Sequence, residues 1–286
     1  MARWKKAEAL AALGLALAAA PPARAGDDAL AFRSHGEAIG SRDLAALKQL
    51  VSPDTVRVYE PYEQREVAYV ALRFDRVLDA LYGKAWRGEE EILFTCRDGY
   101  QPSVPVARVL AHESWLAFAR ADQPAFTLHK FESGRYQDVP LGPFYLIWEN
   151  IADKQMRAEG DYAWPYQLAG VDLIRVRDRY PKLVPPETAS PIAQRGFREF
   201  RIHCSRCHPL NGEGGAVGPE LNSAADPAGR RDPAWLRCWI DAPSKLVPTA
   251  RMEPLSPELP DRDAVLDAIV AYLQVMAQTP TGAPPH

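Results

Sequence analysis

His203-Cys204-Ser205-Arg206-Cys207-His208 is the stretch on which the reading of this chain turns. A two-residue spacer lets two sulfurs meet one edge of a single flat macrocycle. His208 then lies beside it, with a ring nitrogen able to reach a central metal. C-x-x-C also serves zinc and dithiol chemistry. A structural zinc site needs four ligands, and the chain has no second C-x-x-C and no H-x-x-x-H. A thioredoxin-type motif opens a helix after a strand, whereas here a helical pattern leads into the motif. The order C-x-x-C-H therefore reads as covalent attachment of one haem, with thioethers at Cys204 and Cys207 and His208 as an iron ligand.

The surroundings support that reading. Ser190-Pro191 starts a helix, with serine as N-cap and proline in the first turn, and the helix runs through Gly196, Phe197 and Phe200 into the motif. Glycine inside a helix costs ~1 kcal/mol relative to alanine, so Gly196 points to a close helix crossing. Asn211 to Asn222 is glycine-rich and contains Gly218-Pro219-Glu220-Leu221; it lacks the Gly-Lys-Ser/Thr ending of a phosphate loop. Asp232 to Pro243 is a short helix carrying Trp235, Cys238 and Trp239. Cys238 reads as a small core residue. Arg251-Met252-Glu253-Pro254-Leu255 follows. Asp261 to Ala277 carries Val265, Leu266, Ile269, Val270, Leu273 and Met276 on one helical face, with acidic residues in its first turn. His203 reads as a surface or core histidine.

In this order the segment resembles the monohaem class I c-type cytochromes. The resemblance implies an all-α cytochrome c fold over 192–277, with Gly196 and Phe200 packed on the terminal helix. It implies that the Pro219 carbonyl accepts the free ring N–H of His208 and that Met252 is the distal iron ligand. Glu253 stands where the family more often has proline, and Met156 and Met276 are the rival sulfurs. Trp235 and Trp239 either pack beside the haem or belong to the core. A six-coordinate iron has no open position for substrate, so the implied role is single-electron transfer to a redox partner protein rather than catalysis.

The beginning of the chain reads as an export signal, residues 1–25: basic Arg3, Lys5 and Lys6, an apolar run from Ala9 to Ala20, and Ala23-Arg24-Ala25 as a small-x-small cleavage site. The apolar run falls short of the ~20 residues of a membrane-spanning helix. Export implies a periplasmic protein with no integral membrane span. Removing the leader takes four basic residues and one acidic residue from a chain of net charge −3, leaving it mildly acidic. No basic stripe is visible, which excludes a nucleic-acid partner. Beyond the motif, Cys96 and Cys238 are able to pair in an oxidising compartment only if the fold brings them together.

Residues 27–180 read as an α+β domain. Ser41 caps a helix through Leu44, Leu47 and Leu50; Thr55–Tyr59 and Val67–Ala71 alternate as strands; Phe74, Val77, Leu78 and Leu81 form a helical stripe ending near Gly83. Glu91–Cys96 is a strand, Arg97–Tyr100 a turn, and Ala107 to Phe118 one or two short helices. Residues 126–131, 139–148 and 167–176 are further strands. Phe94-Thr95-Cys96-Arg97-Asp98-Gly99-Tyr100 leading to Val104-Pro105, and Pro140 to Trp148, resemble parts of the sulfite-oxidase-type molybdopterin-binding domain. That resemblance implies a reduced framework without the cofactor, with Cys96 a small buried residue. The prolines at 181, 185, 186 and 191 mark 181–191 as a stiff, extended linker, and 278–286 as a tail. The resulting expectation is a periplasmic electron carrier, not an enzyme, whose N-terminal half docks or recognises a partner. The alternatives are a molybdopterin-dependent oxidoreductase with a haem subunit and a haem-based gas or redox sensor.

Overall fold

The computed structural model describes residues 28–132, 135–158, 163–257 and 259–278. The stretch expected to be an export signal and the tail beyond Gln278 lie outside these residues. The first half builds β1 (Leu30–Ser34), β2 (Glu37–Arg42), α1 (Leu44–Leu50), β3 (Asp54–Glu60), β4 (Arg65–Arg73), α2 (Phe74–Tyr82), β5 (Glu91–Cys96), β6 (Ser103–Pro105) and α3 (Val106–Ala111). β7 (Ser114–Arg120), β8 (Thr127–Glu132), β9 (Arg135–Pro140), β10 (Tyr145–Trp148), α4 (Lys154–Ala158), β11 (Leu168–Ile174) and α5 (Val176–Arg179) complete it. The remainder adds α6 (Pro191–His203), α7 (Pro233–Asp241), α8 (Pro243–Leu246) and α9 (Arg262–Gln278).

The strands form a five-stranded sheet ordered β2-β1-β11-β5-β6, a four-stranded sheet ordered β10-β7-β4-β3, and the pair β8-β9. β1 and β11 run parallel and the other pairs are antiparallel. Alternation decides which side chains face inward. Ile92 and Phe94 of β5, Val171 and Leu173 of β11, and Leu30 and Phe32 of β1 enter one large core with Trp86, Trp148 and Trp164.

Two local expectations change. Asp43, not Ser41, caps α1, accepting the Ala46 N–H at 2.8 Å, while Ser41 ends its days as a strand residue paired with Ala31. Residues 114–120 form β7 rather than a second helix. Trp115, Leu116 and Ala117 fit either period, and β7 is fixed by its pairing with β4 on one side and β10 on the other.

The larger correction concerns fold class. The expected pairing of an α+β domain with an independent all-α cytochrome c fold does not hold. The molecule is mixed α/β, with several sheets that include a curled half-barrel, and only about 35% of it is helical. Among the described residues after 190, helices are few, and the long stretches between α6 and α7 and between α8 and α9 are largely irregular. The second core explains why they do not stand apart. Phe200, Leu266, Ile269 and Leu273 pack with Leu93 of β5, Ile174 of β11, and Val176, Tyr180 and Leu183. α9 buries nine side chains, more than the single face of α6 covers. The sheet edge and the 181–183 segment supply the rest. Pro181–Leu183 is a 3-10 turn, and the Tyr272 hydroxyl donates to the Leu183 carbonyl at 2.6 Å. No helix among the described residues is long and apolar enough to cross a membrane.

α6 and α9 cross closely at Gly196, where an added Cβ would collide with the Ala268 carbonyl and Tyr272. Gly196→Ala is therefore expected to lower stability by about 1–3 kcal/mol, the range for overpacking. Gly88→Ala, where a Cβ meets open space, should cost far less; urea midpoints of the two variants check this. A second expectation comes from Glu60, which is fully buried and accepts hydrogen bonds from the Tyr69 hydroxyl at 2.7 Å and the Tyr145 hydroxyl at 3.0 Å. Burial pushes its carboxyl up from 4.5 to about 7. The folded state then holds a proton that the unfolded chain releases near 4.5. Its contribution to stability is present below that pH and is lost, by roughly a few kcal/mol, as pH rises to about 7. Glu60→Gln should remove this slope in chemical denaturation between pH 4.5 and 7. An unchanged slope would show that another group carries it.

Candidate functional site

The site grows from the end of α6. The Ser190 hydroxyl accepts the Ala193 N–H at 3.4 Å, and Pro191 occupies the first turn. At the other end the backbone keeps turning. Cys204 and Ser205 both donate to the Phe200 carbonyl at 2.8 Å, and Cys207 and His208 donate to the Cys204 carbonyl at 3.0 and 2.9 Å. Cys204, Cys207 and His208 thus sit on consecutive turns of one compact segment.

The glycine-rich loop folds back over this segment. Gly215 N–H donates to the Ser205 carbonyl at 2.7 Å, Gly218 to Cys207 at 2.8 Å, and Leu221 to Pro209 at 2.9 Å. A Cβ at Gly214 would press on the His208 carbonyl, one at Gly215 would collide with the Arg206 carbonyl, and one at Gly218 would overlap the His208 ring. Glu220 holds the loop shut from below, accepting the N–H groups of Asn211, Gly212 and Asn222 at 2.8 Å each. The Asn222 amide reaches the Met276 carbonyl at 3.2 Å and ties the loop to α9.

His208 Nδ1 lies 2.9 Å from the Pro219 carbonyl. A carbonyl only accepts, so Nδ1 carries the proton and Nε2 presents its lone pair. This arrangement fixes both the tautomer and the ring orientation of the imidazole, as a hydrogen-bonded partner does for a histidine able to bind metal.

The second wall of the site was not legible in the sequence. It is the β5–β6 turn. Gln101 N–H donates to the Arg206 carbonyl at 2.8 Å, Ala216 N–H donates to the Gly99 carbonyl at 3.0 Å, and an Arg206 guanidinium nitrogen meets the Tyr100 hydroxyl at 3.2 Å. Arg201 forms an ion pair with Glu91 of β5, both mostly buried. Asp98-Gly99 signals a turn, and Gly99 adopts φ 89°, yet nothing in its spacing says what that turn docks against.

The remaining candidates are spread over both halves of the molecule. Trp235 and Trp239 stack on each other with centroids 5.6 Å apart and planes 8° from parallel, and Arg231 covers Trp235 at 4.9 Å. The buried face of α7 is Leu236 and Ile240 instead. Cys238, expected in the core, is exposed; helical spacing puts it on the face away from those two residues. Met252 is partly buried against the second core, on an irregular segment. Arg262 fastens that segment, donating to the Leu255 and Ser256 carbonyls at 3.1 Å and pairing with the Asp241 carboxylate at the end of α7. Met156 lies in the first core and Met276 on the buried face of α9. His203 is mostly buried, and burial pushes its imidazole down to about 4. It is therefore neutral at pH 7, and its 3.7 Å approach to Glu199 is not an ion pair. Cys96 is buried on β5 and its thiol is unpaired, as is that of Cys238.

Donor chemistry narrows what the motif holds. Among the described residues no group of three or more His, Cys, Asp or Glu side chains is placed to hold a metal ion, so Cys204 and Cys207 lack the further ligands of a zinc centre. Burial pushes the Cys204 thiol up to about 12. A dithiol redox centre needs its attacking thiol lowered instead. A haem makes different demands: two thiols on one segment and one imidazole with a fixed free nitrogen. These residues fit them. Gly218 packs directly against the ring, and Val217 next to it is 53% exposed, an apolar side chain on the same loop.

Gly218→Ala is expected to displace the imidazole and break its bond to Pro219, read as a shift of the His208 ring nitrogen resonances. Gly212→Ala strains the same loop at φ 79° but meets no atom within 4 Å, and should leave those resonances in place. Compared with known proteins, the chain matches no family model and no curated sequence, so the functional reading rests on this geometry.

Proposed function

We propose that this chain is a periplasmic c-type haem protein that carries single electrons between redox partners. The observation that carries the proposal is the 2.9 Å bond from His208 Nδ1 to the Pro219 carbonyl, made beside two cysteines of one C-x-x-C segment. In this reading Cys204 and Cys207 would hold the group by thioethers, and His208 Nε2 and the Met252 sulfur would be its two iron donors. When bound, haem c would supply a one-electron iron couple, whose potential methionine and histidine donors would raise.

The chain's own residues do the rest. Pro219 keeps the proton on Nδ1 and so keeps Nε2 available to iron. Gly214, Gly215 and Gly218 let the loop close against the motif. Arg262 holds the Met252 segment to the end of α7, limiting how far the distal sulfur can move. Trp235, 38% exposed, with Leu246 and Val247, leaves apolar surface on the segments after the motif. Such surface is what an apolar macrocycle covers. The first half serves as the docking module, since its β5–β6 turn is hydrogen-bonded to the motif itself.

The test is to produce the protein in a cell able to attach haem c and to record reduced and oxidised spectra with metal analysis. The expected result is one iron per chain, haem that stays attached on denaturation, and a weak far-red sulfur-to-iron band. Met252→Ala should lose that band and keep the covalent haem. Cys204→Ser with Cys207→Ser should lose covalent haem altogether. Protein that carries no covalent haem under these conditions rules the reading out, and stoichiometric molybdenum would move the chemistry to the first half.

A further inference from the structure

The five-stranded sheet has one face in the first core and another that the second core covers at Leu93 and Ile174 and leaves open beside them. Ala31 of β1 pairs with Gly170 of β11, which pairs with Thr95 of β5, giving a row of small residues across three strands. Two positions along, on the same face, Arg33 pairs with Asp172 and Asp172 with Leu93. Over this floor lies a cleft of about 570 Å³, whose far wall is Arg175 and Arg179 at the start and end of α5. That is the size range of small-molecule sites.

Asp172 and Asp178 also line the cleft, and Asp172 feels the charges of Arg179 and Arg33, but three guanidinium groups against two carboxylates leave an excess of positive charge. Among the described residues neither Arg33, Arg175 nor Arg179 has a carboxylate within 4 Å. Asp172 is committed, accepting the Gly36 N–H at 3.2 Å, and His35 at the rim pairs with Glu89 at 3.2 Å. A concentration of unpaired guanidinium groups in a cleft of an acidic chain attracts anions, and the planar fork of arginine suits carboxylate and phosphate oxygens. A second observation is independent of charge. Gln101 lines the same cleft, and its amide oxygen is buried with no hydrogen-bond partner. An orphaned acceptor of this kind costs roughly 1–3 kcal/mol, which a donor on a bound molecule would relieve.

We infer that this cleft binds a small organic anion, a carboxylate or phosphate ester that also bears a hydroxyl, with Arg33, Arg175 and Arg179 holding the anionic group and Gln101 accepting from the hydroxyl. The site adjoins the C-x-x-C-H segment, because the backbone N–H of Gln101 bonds the Arg206 carbonyl, but its occupancy does not depend on haem.

Calorimetric titration of the full chain with L-malate and with glycerol 3-phosphate, at constant low chloride, tests this. Binding of malate alone identifies a carboxylate site, binding of the phosphate ester alone a phosphate site, and binding of both a general anion site; each supports the inference. Arg175→Ala and Arg179→Ala should each weaken the bound probe by roughly tenfold or more, the loss of one charge-assisted hydrogen bond. Both side chains belong to exposed residues, so the variants should fold, as circular dichroism would verify. Arg33→Gln provides a third variant on a different element should either fail. Replacing malate by succinate should weaken binding, and Gln101→Leu should erase that difference. No heat with either probe, or affinity unchanged in the arginine variants, overturns the inference.

Discussion

The imidazole of His208 and the main chain of Gly218 share a space that one methyl group would fill. That close approach is the constraint on which the rest of the site depends. It brings the Pro219 carbonyl within 2.9 Å of Nδ1, decides which nitrogen carries the proton, and leaves the other free for metal. Two further glycines, at 214 and 215, allow the loop to lie on the main chain of residues 205–208 rather than on its side chains. A loop with larger residues at these positions would stand off, and the ring would lose its orienting partner.

The loop holds this position through hydrogen bonds on several sides. Glu220 gathers three N–H groups that a reversing chain would otherwise leave exposed, and Asn222 carries the closure on to α9. On the opposite side the β5–β6 turn contributes backbone hydrogen bonds to Arg206 and Ala216. These are bonds between main-chain atoms, insensitive to side-chain identity, and they make the motif part of the sheet's edge as much as part of a helix end.

The same merging is visible in the hydrophobic packing. α9 is apolar over most of its circumference, and α6 covers one face only. Leu93, Ile174 and Leu183 complete the burial. A helical unit that closed on itself would have no use for these residues. The proposed electron carrier is thus a single mixed α/β structure in which sheet and helices meet at the motif, with an arginine-lined cleft against the same strands.

Much of the site was legible locally. Ser190-Pro191 signals a helix start, the spacing of Cys204, Cys207 and His208 signals a compact turn, and the stripe from Val265 to Met276 signals α9, because each depends on residues within one or two turns of one another. Strands β3, β4 and β5 were legible for the same reason. β7 was not, since a run of apolar residues satisfies helix and strand alike until its neighbours β4 and β10 choose. Cys238 was assigned to the core because it sits among tryptophans, and is exposed because helical spacing turns it away from the buried Leu236 and Ile240. By itself the sequence determined the short-range chemistry: which residues turn, cap, and could bind a macrocycle. Only the tertiary structure decided that Gly99–Gln101 walls the motif, that Leu93 and Ile174 share its core, and that Ala31, Gly170 and Thr95 align into an open floor. Those outcomes depend on register and on contacts between distant segments, where the free energy resides in packing that no local pattern records.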